Sequence, residues 1–423
     1  MILFSHPTGN ANVREALRAL SDEGLLSEFW TSIYWRREHP LNNVLPQSVR
    51  RELNRRGFPH LRRHQVQCDP WLEVGRLMAR HLRLSSLIRH EVGRFSIDAV
   101  YRRLDKSVAA RLAEIEDISA IYAYEDGALA SFRAARKLGI QTIYELPIGY
   151  WRSYRELMED EASLNPEWAV TLQGRGDSNE KLRCKDEELA LATDIVVASR
   201  FVRGTLLKAG CLEAAITILP YGSPTKTFAR RARNPRDGSL KVLFVGALSQ
   251  RKGLSYLLQA VKRLGPKIDL TLVGHRAAEC RALDQALQVH RWIPSLSHDA
   301  VLEEMSRHDV MVFPSLFEGF GLVILEAMSQ GVPVITTPNT AAPDFLSDGV
   351  DGFIVPIRDV EAIVEKLELL MLDRDCLAAM SQAAVRKASL CSWEQYRHRV
   401  ANTVRQAMTK GSQNSTVPEP LAS

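Results

Sequence analysis

Residues 310–328 read VMVFPSLFEGFGLVILEAM. The apolar opening, closed by Pro314, is typical of a short buried strand over residues 310–314. Gly319 and Gly321 leave the backbone of the following loop open to a ligand, and an apolar helix begins near Gly321. This order predicts one strand–loop–helix unit of a parallel α/β sheet. Glu318 lies in the loop, and Glu326 lies about one and a half turns into the helix at about 3.6 residues per turn.

A second unit of the same kind is encoded by residues 241–253, KVLFVGALSQRKG. The predicted strand, 241–245, ends at Gly246, and a helix is predicted over residues 253–264. Between them, Arg251 supplies a forked hydrogen-bond donor and Lys252 a point charge, which together suit a diphosphate at a helix amino end. In an open α/β sheet, ligands bind at this end of the strands. The alternative is a solvated pair of cations ahead of a helix.

Glu326 is unusual because it stands among apolar neighbours, including Leu325 and Met328, on a helix predicted to be mostly buried. A buried carboxylate is costly unless it has hydrogen-bond partners. The paired hydroxyls of a ribose would satisfy both of its oxygens. The structural alternative is an internal cap or an ion pair.

Short apolar runs alternate with helical patterns along most of the chain, which predicts parallel sheets covered by helices on both faces. The fold class is therefore α/β, with two Rossmann-like domains. The other predicted strands are residues 2–5, 120–124, 142–145, 195–198, 269–273, 333–336 and 352–355.

The chain length of 423 residues suits two domains, and a charged stretch rich in proline and glycine separates them. We predict an N-terminal domain at 1–219, a linker at 220–239 and a C-terminal domain at 240–388. A helix at 389–410 is expected to cross back to the N-terminal domain, and 411–423 to form a disordered tail. Residues 40–118 alternate less cleanly and predict a basic, mostly helical insertion.

Four motifs in order carry a family resemblance: G-x-L-S-x-R-K-G, F-P-S-x-x-E-G-F-G-L-x-x-x-E-A-M, G-x-P-V-I-T-T and D-G-x-D-G-F-I-V. Together they resemble the donor domain of retaining glycosyltransferases of family 4 (glycosyltransferase group 1), which have the GT-B fold. The resemblance spans residues 218–356. The ILPYG of residues 218–222 resembles the inter-domain P-N-G turn of that family, with Tyr221 in place of asparagine. Ser392-Trp393-Glu394 resembles its S-W-E helix, which crosses back to the first domain.

The resemblance implies roles for the matching residues. Arg251 and Lys252 would bind the donor diphosphate, Glu318 would lie by the sugar ring, and Glu326 would hold the ribose. The loop at 320–323 would supply backbone contacts. The implied donor-binding set is Gly246, Arg251, Lys252, Glu318, Gly319, Phe320, Gly321, Leu322, Val323 and Glu326, and the catalytic set is Arg251, Lys252 and Glu318.

The first half carries weaker signals for an acceptor or phosphate site. Gly9 and Asn10 lie in a loop ahead of a predicted helix, where an anion could bind, but a plain strand–helix turn explains them as well. Glu125 and Glu145 fall at the ends of predicted strands facing the presumed cleft. The family often has a histidine where Glu145 stands, so the acceptor side stays open, with His6 as a substitute candidate.

Between Arg50 and Arg94 there are eleven arginines against four acids, a local net charge of +7. Such a block can face phosphates of a membrane surface or of a nucleic acid, or it can be a solvated face. No stretch approaches the ~18 apolar residues of a membrane span. The chain has no recognisable secretory signal, and its six cysteines are scattered. These features predict a cytoplasmic protein, with the inner membrane face as a peripheral location.

We therefore expect a hexosyl or other glycosyltransferase of EC class 2.4 that moves a sugar from a nucleoside-diphosphate sugar to an acceptor hydroxyl with retention. The acceptor would be a carbohydrate or lipid-linked, in polysaccharide or glycolipid assembly. No metal or other cofactor is expected, because two cations and helix amino ends can neutralise the departing diphosphate. The alternatives are a non-catalytic sugar-nucleotide binder or scaffold, and a nucleic-acid-binding protein without a recognised motif. The base, sugar, acceptor, linkage and oligomeric state stay open.

Overall fold

The computed structural model describes residues 1–36, 38–172, 174, 176–228 and 238–414. The first half contains the strands β1 (Ile2–Ser5), β2 (Leu26–Thr31), β3 (Val66–Cys68), β4 (Ala120–Tyr124), β5 (Gln141–Leu146), β6 (Asp194–Val197) and β7 (Ile216–Ile218). They form one parallel sheet in the order β3-β2-β1-β4-β5-β6-β7. The strand order reverses between β1 and β4.

Helices connect these strands and cover both faces of the sheet. They are α1 (Ala11–Asp22), α2 (Gln47–Asn54), α3 (Trp71–His81), α4 (Ile97–Leu112), α5 (Leu129–Lys137), α6 (Trp151–Leu164), α7 (Asn179–Leu191) and α8 (Arg200–Lys208). The central strands β1 and β4 are buried along their whole length because both faces are covered.

The second half forms a six-stranded parallel sheet. Its strands are β8 (Leu240–Val245), β9 (Ile268–Val273), β10 (Arg291–Ile293), β11 (Val310–Phe313), β12 (Val334–Thr336) and β13 (Gly352–Ile354). Their order is β10-β9-β8-β11-β12-β13, so the reversal lies between β8 and β11. The helices are α9 (Leu254–Leu264), α10 (Arg281–Val289), α11 (His298–Met305), α12 (Leu322–Ser329), α13 (Ala342–Phe345), α14 (Val360–Leu372), α15 (Arg374–Ser389) and α16 (Trp393–Asn414).

The structure corrects the expectation that residues 40–118 are an insertion. Residues within this segment supply β3, which pairs with β2, and α4, whose Leu104 and Val108 are buried. The segment is therefore part of the sheet domain. Strand β3 escaped prediction because it is only three residues long at the sheet edge, and its neighbour β2, which precedes the segment, escaped prediction because it carries Ser27 and Glu28.

The C-terminal helix α16 lies against α1 of the first half. Arg397 pairs with Glu15 at 2.6 Å, and Lys410 pairs with Asp194 at 2.8 Å. The helix ends at Asn414, four residues beyond the expected end at residue 410. The remaining residues of the predicted tail, 415–423, lie outside the described residues. Part of the predicted linker, residues 229–237, also lies outside them.

The two halves contact each other directly at the ends of their sheets. Ser199 Oγ donates to Gly319 O at 2.6 Å, and Gln250 N donates to Thr171 Oγ1 at 2.9 Å. A Cβ on Gly319 would overlap the carbonyl of Pro147. Glycine at 319 thus permits a backbone-to-backbone approach that any side chain would prevent. None of the described helices is both long and apolar enough to span a bilayer.

Candidate active site

Two loops lie side by side where the order of the second sheet reverses. One follows β8 and ends at Gly253, and the other follows β11 and ends at Gly321. Gly253 has a φ of +70°, and a Cβ there would overlap Pro314 O. Leu316 N donates to Arg251 O at 2.9 Å. The two loops are therefore fixed against each other at the crevice where α/β sheets bind ligands.

The predicted cations meet Glu318 in this crevice. Arg251 Nη1 donates to Phe317 O at 2.8 Å and lies 3.5 Å from Glu318 Oε2. Lys252 Nζ contacts the same carboxylate oxygen and lies 4.8 Å from the centroid of the Phe313 ring. The side chains of Arg251, Lys252 and Glu318 are 24%, 10% and 15% exposed. Two cationic side chains share one carboxylate, so the formal charge of the cluster is positive.

The electrostatics of the cluster favour a further anion. Burial lowers the pKa of Arg251, and it lowers the pKa of Lys252 well below its usual value, with the adjacent guanidinium adding to that effect. The Glu318 carboxylate opposes the shift, because an anion in contact stabilises the charged ammonium. A bound diphosphate would likewise stabilise the charged form of Lys252 and raise its pKa.

The amino end of α12 directly follows this loop. Gly321 precedes the helix and provides no side chain to cap it, so no side-chain oxygen accepts from its first N–H groups. The first N–H groups of a helix have no partner within the helix, and they carry a partial positive charge. They provide a second source of positive potential for an anionic ligand.

Glu326 lies in α12 with its carboxylate mostly buried, 14% exposed. Its Oε1 is 3.7 Å from Nδ1 of His298, at the start of α11. Burial raises the pKa of Glu326, and His298 lowers it in part. The structure therefore gives Glu326 a weak ionic neighbour and does not place it in the Arg251–Glu318 cluster. His298 was not predicted, since a histidine behind a serine helix cap has no distinctive signal in one sequence.

The other predicted donor-side residues have different environments. Phe320 is 3% exposed, and its ring centroid is 5.0 Å from that of Tyr221, so its side chain belongs to the core. Leu322 and Val323 are half-buried at the start of α12. Gly246 ends β8, where its N–H donates to Val273 O at 2.9 Å. Contacts from Phe320 to a ligand would therefore have to come from its backbone.

Some of the predicted first-half residues are accessible to solvent, and others are buried. Gly9 lines a cavity of about 1110 Å³ between α1 and α2. Asn10 is exposed, and its side chain caps α1 by accepting from Val13 N at 3.1 Å. His6 is buried, its Nδ1 accepts from Thr8 N at 3.1 Å, and burial lowers its pKa to about 4. His6 is thus a neutral interior group rather than a free loop side chain.

Glu125 lines a smaller cavity, about 250 Å³, that both halves of the chain enclose. Arg251 lines the same cavity from the second half, and Trp151 and Tyr154 line it from α6. Glu125 Oε2 lies 3.1 Å from Lys185 Nζ, while Oε1 is buried without a hydrogen-bond partner among the described residues. Burial raises the pKa of Glu125 to about 7, although Lys185 opposes this. The α7 lysine was missed because its helix has the composition of a solvated one.

The structure corrects the placement of Glu145 at the cleft surface. The carboxylate is buried in the first half and accepts from Tyr122 Oη at 2.6 Å, Tyr221 Oη at 2.8 Å and Asn12 Nδ2 at 3.1 Å. Tyr221 lies in the predicted linker, three residues after the end of β7, so Glu145 connects the sheet to this segment. Its oxygens are occupied, and it has no free acceptor for a substrate.

One group within the described residues has the spacing for a metal ion. Ligand atoms of His90, Glu91 and Asp177 lie within 4.8 Å of one another. Lys181 Nζ is 3.5 Å from Asp177, and Lys185 Nζ is 3.9 Å from it. Cations already neutralise this carboxylate, which weighs against a metal there. The absence of a metal cofactor stays a prediction.

Comparisons with known proteins agree with this architecture. Residues 225–387 match the family model described as glycosyl transferases group 1. Glycogen synthase of Mycobacterium tuberculosis is 29% identical over 216 residues, which cover 49% of this chain and 51% of that protein. The capsular polysaccharide biosynthesis glycosyltransferase CapM of Staphylococcus aureus is 29% identical over 209 residues, covering 44% of this chain and 55% of that protein. In these matches the chain spans about half the length of the relatives.

Solved structures extend the similarity to both halves. Sucrose-phosphate synthase of Thermosynechococcus elongatus superimposes with a TM-score of 0.69 at 19% identity, over 97% of this chain and 99% of that one. HepE of Anabaena, solved with UDP-glucose, gives a TM-score of 0.61 at 17% identity, over 96% and 99%. The two facing parallel-sheet domains therefore define a GT-B fold. In its C-terminal half, the chain is similar to glycosyl transferases group 1 over residues 225–387.

Proposed function

We propose that this protein transfers a sugar from a nucleoside-diphosphate sugar to an acceptor hydroxyl, with retention of configuration at the anomeric carbon. The observation that carries the proposal is the convergence of Arg251 and Lys252 on Glu318 at the reversal point of the second sheet. Buried cations with a net positive charge form a suitable site for a diphosphate. Retention is inferred from the family resemblance.

In this proposal the donor diphosphate binds Arg251 and Lys252 and the amino end of α12. Negative charge grows on the diphosphate as the glycosidic bond breaks, so cations held in place stabilise the transition state more than the ground state. Partial burial strengthens their effect because little water screens them. We assign Glu326 to the ribose hydroxyls, since its carboxylate has only a distant histidine as a described partner.

We place the acceptor in the cavity of about 250 Å³ that Glu125 and Arg251 both line. An acceptor hydroxyl there could donate to the unsatisfied oxygen of Glu125, and Trp151 and Tyr154 offer aromatic surface to a sugar ring. The names of relatives support carbohydrate assembly: CapM is described as a capsular polysaccharide biosynthesis enzyme. A role in polysaccharide or glycolipid assembly is our inference for this chain.

The first experiment is a thermal-shift screen of UDP-, GDP- and ADP-sugars against the whole protein. A ligand at about 100 times its dissociation constant stabilises the native state by about 2.7 kcal/mol. The ligand that shifts the melting temperature is then assayed for hydrolysis and for transfer to sugar acceptors. Binding without any turnover would favour the non-catalytic alternative, and no binding by any of the three would contradict the proposed site.

Matched variants locate the activity in the proposed site. Lys252→Ala and Glu326→Gln should abolish or strongly reduce donor turnover while the far-UV spectrum stays unchanged. Lys262→Ala, at an exposed lysine in the last turn of α9, and Glu365→Gln, at an exposed glutamate of α14, are the controls and should retain full activity. Full activity in either site variant would refute the assignment.

A further inference from the structure

The helix α3 presents an apolar stripe to solvent. Trp71, Val74 and Met78, together with Leu82 directly after the helix, are 76%, 40%, 59% and 60% exposed. Their spacing of three, four and four residues places them on one face of the helix. In a globular domain such a stripe normally faces the core. In α3 the core-facing side is instead the one that carries the buried residues Glu73 and Ala79.

The segment after α3 extends this surface. The apolar side chains of Leu84 and Val92 are exposed. Phe95 holds the segment in place, because its ring lies against Gly75 of α3, where a Cβ would overlap it, and its N–H donates to Leu87 O at 2.8 Å. The exposed residues therefore belong to a folded layer, and an apolar patch of this kind marks a surface that contacts another phase or molecule.

The charges on this layer are unbalanced. Arg80, Arg83, Arg89 and Arg94 are exposed, and none of them forms an ion pair with another described residue. The segment thus offers unpaired cations interspersed with exposed apolar side chains.

Two acids of this region, Glu73 and Asp69, pair with arginines inside the fold. Glu73 is fully buried and pairs with Arg56 at 2.7 Å and Arg76 at 2.6 Å. Asp69 pairs with Arg103 at 2.7 Å. Glu91, between Arg89 and Arg94, is 15% exposed and accepts from Ser178 N at 2.8 Å, so the exposed charge of the segment is mainly positive.

We propose that α3 and the segment that follows it dock this protein on an anionic lipid bilayer, with the apolar stripe in the interface and the arginines at lipid phosphates. An interfacial helix with apolar residues on one face and basic residues around it binds membranes in this way. Charge complementarity favours this partner over a second copy of the chain, which would bring arginines against arginines. A nucleic acid would leave the apolar stripe without a role.

The test is co-sedimentation of the whole protein with vesicles of phosphatidylcholine alone, and of equal parts phosphatidylcholine and phosphatidylglycerol. We expect binding to the second kind only, weakened at about 1 M salt, where the Debye length is about 3 Å. Arg89→Gln with Arg94→Gln should weaken binding about fivefold for each arginine removed. Met78→Ser with Leu82→Ser should weaken it about tenfold or more, because both side chains would otherwise enter the interface.

The control variants are Leu212→Ser and Leu372→Ser, which remove leucines elsewhere that are more exposed than Met78 and Leu82, and both should bind as the wild type does. Sedimentation velocity without lipid checks self-association. The proposal is overturned if neither kind of vesicle binds, if the α3 variants bind as tightly as the controls, or if the stripe variants instead dissociate a dimer. Binding to RNA in preference to anionic vesicles would also overturn it.

Discussion

Replacing Glu318 by glutamine should make the folded protein depend on an added anion. In the structure this carboxylate is the partner of Lys252 Nζ and lies 3.5 Å from Arg251. Glutamine keeps the size of the side chain but removes the charge. Two mostly buried cations then face each other without a counter-charge, which raises the free energy of the folded state.

The loss should be large because the cluster is shielded from water. Removing one partner of a buried ion pair typically costs about 3–5 kcal/mol, and partial exposure places this site near the lower end. A nucleoside diphosphate would restore the missing negative charge. We therefore expect Glu318→Gln to have a lower melting temperature than the wild type without ligand, and a larger upward shift than the wild type with saturating nucleoside diphosphate.

The assay is differential scanning fluorimetry with UDP, GDP and ADP, with Glu365→Gln as the control for loss of an exposed carboxylate. A variant as stable as the wild type would show that Glu318 does not neutralise the cations. The variant could also be less stable and yet show no larger shift in melting temperature with any diphosphate than the wild type shows. That result would refute the idea that the Glu318 carboxylate and the ligand neutralise the same cations.

Three further predictions test the rest of the molecule. Gly319→Ala should separate the halves, because the new methyl group would overlap Pro147 O. Small-angle scattering should then show a larger radius of gyration, and the transfer assay a lower kcat. The control Gly204→Ala, with free space around the new methyl group, should change neither quantity. Burial lowers the pKa of His6 to about 4, so the unfolded chain binds the extra proton first as pH falls below about 6.5. Stability should then fall by up to about 1.4 kcal/mol per pH unit until pH 4, and urea titrations of His6→Gln should lack this slope. Glu145→Gln should destabilise the fold by about 1–3 kcal/mol in urea without changing the KM for donor, since its partners are tyrosines of the core and the linker rather than substrate.

The cluster formed by Arg251, Lys252 and Glu318 was predictable because its signals are local. Strands β8 and β11 are mostly apolar, and each is followed by glycine and charge within a few residues. Parallel strands that flank a reversal bring their carboxyl ends together, so Arg251, Lys252 and Glu318 meet although the pair and the glutamate are more than sixty residues apart.

The edge of the first sheet and the environment of Glu145 depended on contacts between residues that are distant in the sequence, which local patterns do not encode. Strand β2 contains polar residues, and β3 is held at the sheet edge by its neighbour rather than by its own pattern. Glu145 stands at the end of an apolar strand, which predicts exposure to a cleft. Its burial follows from Asn12, Tyr122 and Tyr221, which are distant from it in the sequence and donate to its carboxylate.

The most direct measurement is a structure of the protein with a nucleoside-diphosphate sugar bound. We predict diphosphate oxygens within about 2.7–2.9 Å of the Arg251 guanidinium and Lys252 Nζ, with both ribose hydroxyls on Glu326. A diphosphate bound elsewhere, with these side chains arranged as they are in the free protein, would contradict it.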